Sequence, residues 1–245
     1  MDTDTNFQRS QAALGTITLE LSKQHFFGLR HGFTGQGVFN PGIQLLNARQ
    51  HMQQLFSEVP IILPEQSHSA IVIQVNNSED DFECAGDALF ISRALKTPLV
   101  LGICTADCVP LLIASQSAVA LVHAGWRGLA NCIISKTLTL FKPHEPLSVL
   151  IGPCGGKEVY QVEQEVLLAI GSSAVSTVQS TAKYLLDLPA TAQNQILACH
   201  PQAQIFNSAV CTITDRRFNS YRRDHENSGR NLSFIELNRK GVSDE

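Results

Sequence analysis

Residues 99–128 read LVLGICTADCVPLLIASQSAVALVHAGWRG. Residues 99–103, 109–114 and 118–122 are almost continuously apolar and rich in Val, Ile and Leu, the composition of strands buried on both faces. The short polar run Ser115-Gln116-Ser117 joins the second and third of these into a hairpin. In an antiparallel hairpin the start of one strand lies beside the end of its partner. Cys108, just before the second strand, and His123, just after the third, are therefore expected to be neighbours in space. Reactive polar groups beside apolar strands are costly unless paired or used. Three readings are open for the pair: metal ligation, a thiol nucleophile with its base, or core packing.

The segment His123-Ala124-Gly125-Trp126-Arg127-Gly128 adds a second signal. Its glycines let the backbone turn tightly and approach a ligand. A helix is expected to follow, and its free N–H groups together with Arg127 make an anion site. Trp126 is the only tryptophan; it reads as a packing residue or as a platform for a stacked base.

Outward from this core, residues 15–21, 26–33, 61–63, 70–75, 88–92, 147–151 and 231–237 read as further strands. Residues 44–57, 127–141, 161–170 and 190–203 read as helices, and 205–211 fit neither pattern cleanly. Strands and helices mix without a βαβ repeat, and no composition shift marks a boundary. The expected architecture is a single α/β domain over residues 1–245, a mixed β-sheet core covered by helices, with residues 1–14 a flexible N-terminal tail.

Composition narrows the function. The 245 residues carry a net charge of -4 and no long basic run, which disfavours nucleic acid as a partner. The polar, acidic start has no apolar leader, and no run is long enough to cross a membrane; a cytoplasmic protein is expected. The seven cysteines are an odd number and read as reduced thiols. Taken alone, His68 in its Ser-flanked loop, the turn around Gly152-Pro153-Cys154 and the charged stretch 221–230 are weak signals. The last of these reads as a solvated loop or as one that closes over an anion.

In order along the chain, these segments resemble one family, the laccase-domain family associated with polyphenol oxidase and purine nucleoside phosphorylase. Arg30-His31-Gly32-Phe33-Thr34 resembles its HGFS/T segment, Leu46-Asn47 its SLN, Gln66-Ser67-His68-Ser69 its QVHG, and Asp87-Ala88-Leu89 its DAL. Residues 105–110 match TADCVP and residues 123–128 match HAGWRG; this tandem is the specific part. Residues 151–153 match IGP, and 220–224 with 229–230 match SYRRD…GR.

The resemblance implies one zinc ion held by His68, Cys108 and His123, with a fourth position open as in catalytic zinc sites. Asp107 is then expected to orient a ligand. Arg127 and Arg222 are expected to hold phosphate, and Asn47 and Gln66 to bond the substrate. The implied reactions are phosphorolysis of adenosine, inosine and methylthioadenosine, and deamination of adenosine, by a monomer or homodimer.

Departures from the family pattern are local. After Thr34 the chain reads Gly35-Gln36-Gly37 and lacks an arginine that relatives carry, and Cys154-Gly155-Gly156-Lys157 replaces the usual IGP repeat. Three other readings remain beside the zinc enzyme. One is a metal-free Cys/His hydrolase or deamidase with Cys108 as nucleophile. Another is a copper-dependent polyphenol oxidase, which the eight scattered histidines with no HxH pair disfavour, although copper binds Cys/His sites tightly. The last is a nucleoside-binding protein without turnover.

Overall fold

The computed structural model describes residues 7–11, 17–21, 26–37, 52–53, 55–56, 59–76, 85–180 and 183–237. The strands are β1 (Phe7–Gln11), β2 (Ile17–Leu21), β3 (Arg30–Thr34), β4 (Ile61–Ile62), β5 (Val72–Val75), β6 (Ala88–Ser92), β7 (Leu99–Thr105), β8 (Val109–Ala114) and β9 (Ala118–Ala124). Helices α1 (Trp126–Ala130) and α2 (Ile133–Leu138) follow, then β10 (Ser148–Ile151), β11 (Gln161–Glu163) and α3 (Gln164–Ile170). The chain continues through β12 (Ser176–Ser180), β13 (Lys183–Leu186), α4 (Leu188–Cys199), β14 (Gln204–Asn207), α5 (Tyr221–Asp224) and β15 (Asn231–Leu237).

The α/β reading with mixed sheets holds, and among the described residues the strands form two six-stranded sheets and a smaller third one. One runs β1-β2-β3-β15-β7-β4 and the other β14-β10-β8-β9-β6-β5; a three-stranded sheet β11-β13-β12 stands apart. Each large sheet is antiparallel apart from its parallel β4–β7, β10–β14 and β5–β6 pairs. The apolar runs of β8 and β9 are explained by their two faces. Leu112, Ala114, Val119 and Leu121 pack with Leu99, Leu101, Ile103 and Ile235 of the first sheet. Val109, Leu111, Ile113, Ala120 and Val122 point the other way, onto Leu129, Ile133, Ile134, Ala192 and Ile196 of the helices. On the outer face of the first sheet, Val100, Leu232 and Phe234 pack with Met52, Phe56 and Leu63. At Gly102 a β-carbon would lie 2.8 Å from the Met52 methyl, which would have to shift to admit a side chain.

Several expectations are corrected. The helix read over 127–141 is two short helices, broken at Cys132, whose φ of 62° lies in the left-handed region. Residues 161–163 are a strand, and only 164–170 are helical. The last long helix starts earlier, at Leu188, because Asp187 caps it by accepting from the Ala190 N–H and Pro189 fits its first turn. Within the N-terminal segment expected to be a tail, Phe7–Gln11 forms a strand paired with β2. Of the helix read over 44–57, Met52, Gln53 and Leu55 are helical and most of the rest lies outside the described residues, Asn47 included. Among the described residues no helix is long and apolar enough to cross a membrane.

Candidate metal centre

β7 belongs to the first sheet and β8 to the second, so the chain crosses between sheets within Ala106-Asp107-Cys108. The crossing puts Asp107 at φ 83°. Such a backbone costs about 1–3 kcal/mol and persists only where its surroundings hold it. The Asp107 carboxylate is what is held: it accepts from the Thr212 hydroxyl at 2.6 Å and from the Arg222 N–H at 2.7 Å. The crossing thereby delivers Cys108 to the start of β8. His123 stands near the end of β9, opposite Pro110 in the ladder. His68 arrives from the loop between β4 and β5, also with a left-handed φ of 60°.

One donor atom from each of His68, Cys108 and His123 lies within 4.8 Å of the others. The two imidazole rings meet edge to face, their centroids 4.8 Å apart. Zinc binds nitrogen at about 2.0–2.1 Å and thiolate at about 2.3 Å. At a tetrahedral angle such bonds put donors about 3.4–3.6 Å apart, so the donor set suits one zinc-sized ion, and the three side chains would draw together to hold it. Gly125 leaves the room: a β-carbon there would lie 3.0 Å from both the Cys108 sulfur and His68 Cδ2. The Gly125 backbone is extended (φ -72°, ψ 168°), so only this crowding opposes alanine. Gly125→Ala is expected to keep the fold, with a melting temperature within a few degrees of the parent, and to weaken metal binding by about tenfold or more. Chelator competition beside a thermal melt checks both.

The group that orients the cluster is Asp87, at the entrance to β6 and fully buried. Its Oδ1 accepts from His123 Nδ1 at 2.7 Å and from the His68 N–H at 3.0 Å. Its Oδ2 accepts from the Ser69 N–H at 2.6 Å, the Ser69 hydroxyl at 2.7 Å and the Ser67 N–H at 3.3 Å. Burial works to raise the Asp87 carboxyl, but His123 and Ser69 overcome it and hold the group ionised, well below the usual carboxylate range. A carboxylate only accepts, so His123 Nδ1 carries a proton and Nε2 is the nitrogen left for an ion. Asp107, expected to orient a ligand, bonds none of the three donor groups directly and ties down residues 212 and 222. A signal for Asp87 was present in the sequence: an acid directly before an apolar strand is as costly as Cys108 or His123.

Burial also works to raise the Cys108 thiol, yet His123 and His68 beside it bring it down to about 6. For His123, burial opposes the charge, but the Cys108 thiolate and Asp87 outweigh it and push the ring up to about 9. An ion needs the thiolate and the neutral ring. From pH 9 down to pH 6 it must displace the His123 proton, and below pH 6 the Cys108 proton as well. Apparent metal affinity is therefore expected to weaken roughly tenfold per pH unit across 9 to 6 and more steeply below. Chelator titrations showing no change over that window would contradict this.

The three side chains face a cleft of about 680 Å³, also lined by Gln66, Trp126, Arg127, Tyr160, Tyr221, Arg222 and Arg230. Arg127 lies over Trp126 at 4.3 Å, and Arg222 lies over Tyr160 at 4.6 Å while donating to the Gln161 carbonyl. Gln66 does not present its whole amide to the cleft. Its Nε2 donates to the Cys104 carbonyl at 2.8 Å and its Oε1 accepts from the Cys104 N–H at 2.7 Å. Gln66 therefore ties the His68 loop to the strand that leads to Cys108. Arg223 is held by Asp224 and by the carbonyls of Thr212 and Phe218.

Two mixed sheets joined at a Cys/His/His cluster beneath a cationic, aromatic cleft define an α/β protein with a centre competent to hold a metal ion. The chain belongs to the family described as multi-copper polyphenol oxidoreductase laccase, whose model matches residues 41–238. It is similar to "Purine nucleoside phosphorylase YlmD" of Geobacillus stearothermophilus, 34% identical over 194 residues, 70% of each chain. The crystal structure of YlmD from that organism superposes with a TM-score of 0.78 at 26% identity, covering 96% of this chain and 99% of that one. Similarity to a "Purine nucleoside phosphorylase" of Xylella fastidiosa is 36% identity over 141 residues, so the chain spans about half (54%) of that relative's length.

Proposed function

We propose that residues 1–245 form one cytoplasmic catalytic domain, a zinc-dependent purine nucleoside phosphorylase. Its substrates are adenosine, inosine and methylthioadenosine, with deamination of adenosine as a second activity. The observation that carries the reading is the convergence of His68, Cys108 and His123 on a cleft that also holds three arginines. Relatives named for this activity support it.

His68, Cys108 and His123 would hold the ion. Zinc held there would supply a Lewis acid and would lower the pKa of a bound water. The chain's own residues do the rest. Asp87 keeps the His123 proton on Nδ1 and the His68 loop closed over the site. Arg127 and Arg222 offer N–H groups and positive charge to phosphate. Trp126, Tyr160 and Tyr221 give apolar faces on which a purine can lie. Phosphorolysis then breaks the bond between ribose and base, with phosphate as the acceptor.

The test is elemental analysis of protein purified without chelator, paired with nucleoside assays with and without phosphate. Zinc at about one ion per chain and adenine release that requires phosphate are expected. Copper in place of zinc with no phosphate dependence would reject the reading. A second reading has its own support: the depressed Cys108 thiol and raised His123 suit a thiolate–imidazolium pair, the nucleophile and base of a metal-free hydrolase or deamidase. Fast alkylation of Cys108 that zinc does not slow would favour it.

A further inference from the structure

Cys154 and Cys211 lie outside the cleft lining and face each other across an isolated parallel bridge. The bridge is closed on both sides: the Cys154 N–H donates to the Val210 carbonyl at 3.2 Å, and the Thr212 N–H donates to the Cys154 carbonyl at 2.9 Å. Bridged strands lie about 4.8 Å apart, within the roughly 4.4–6.8 Å between α-carbons that a disulfide spans. Residues level across a ladder also present their side chains to the same face. The Cys211 sulfur accepts from the Gly156 N–H at 3.3 Å, so it leans toward the loop that carries Cys154. Gly156 makes room for it, since a β-carbon there would sit 3.0 Å from that sulfur. Burial, and then the nearby Cys211 sulfur, raise the Cys154 thiol well above its ordinary value.

We propose that Cys154 and Cys211 are a redox-modification site that closes to a disulfide under peroxide-class oxidants. Cys211 is half-buried and Cys154 buried, so the oxidant meets Cys211 first. The Cys211 sulfur attacks one peroxide oxygen, the O–O bond breaks, and the departing hydroxide takes up the thiol proton, so Cys211 becomes a sulfenic acid with release of one water. The Cys154 sulfur then displaces the sulfenic oxygen, which leaves as a second water with the Cys154 proton. Two thiols and one hydrogen peroxide give one disulfide and two waters. Bridges of this kind in cytosolic proteins are transient and sensing rather than structural. The bond would pull on Thr212, next to Cys211, whose hydroxyl holds Asp107 beside Cys108.

The experiment treats the full zinc-loaded chain, in a Cys199→Ser background, with hydrogen peroxide and maps disulfide-linked peptides. A Cys154–Cys211 link in most chains, reversed by dithiothreitol, is expected. In Cys154→Ala the Cys211 sulfenic acid should instead accumulate and be trapped by dimedone. Exposed Cys132 is the internal control. Oxidation of Cys132 with Cys154 and Cys211 left unlinked, or Cys211 linked to another cysteine, overturns the proposal. A second readout rests on the proposed phosphorolysis: oxidation should lower kcat about tenfold in the parent but not in Cys154→Ala. If the link forms and no phosphorolysis exists, the activity reading fails while the site stands.

Discussion

Replacing Cys108 with alanine is expected to leave a folded chain that no longer retains zinc. Cys108 brings the only sulfur to the cluster and lies in the crossing between the sheets, not in a strand core. Its loss removes the thiolate and leaves two imidazoles to hold the ion. Metal affinity should fall by about 100-fold or more, and phosphate-dependent adenine release should fall to background. The far-ultraviolet circular dichroism spectrum should match the parent, because Asp107, Thr212 and Arg222 still hold the crossing. A variant that keeps its full complement of zinc would remove Cys108 from the ligand set.

Asp87→Asn is the second large effect, and it acts on stability as well as on the site. The carboxylate accepts from three successive backbone N–H groups, one hydroxyl and one imidazole. An asparagine of the same shape turns an N–H₂ toward some of those donors. Breaking a buried charge-assisted cluster from one side costs about 3–5 kcal/mol, or about 10 °C in melting temperature for a chain of this size. Metal affinity should drop by about 10–100-fold, because His123 loses the partner that fixes its proton on Nδ1. Thermal melts and chelator competition, both at pH 7.5, check the two parts. An unchanged melting temperature would mean that Asp87 does not knot the His68 loop to β6.

The strand segments 99–103, 109–114 and 118–122 were legible because burial on both faces leaves them without a polar residue, and the hairpin followed from three polar residues at its tip. The adjacency of Cys108 and His123 came with it. His68 was not legible from its own surroundings, since its loop is placed by Asp87 and Gln66, whose contacts run 19 and 38 residues along the chain. Local pattern does not encode such pairings. The acid at position 87 is plain in the sequence, but its reach to residues 67–69 and to His123 was hidden for the same reason. Strand β12 escaped detection because Ser176–Ser180 is exposed along its whole length and has no apolar alternation. The split of residues 127–141 turned on a single left-handed residue, Cys132, which no glycine announces.

Strand β15 lies between β3 and β7, pairing Ser233 with Phe33 on one side and with Ile103 on the other. A polypeptide made from its N-terminus must therefore hold these two strand edges open until residues 231–237 have been synthesised. Such facing edges accept any extended segment, including one from a neighbouring nascent chain. Products of premature termination ahead of Asn231 should be aggregation-prone and should depend on chaperones, even though His68, Cys108 and His123 would already have been translated.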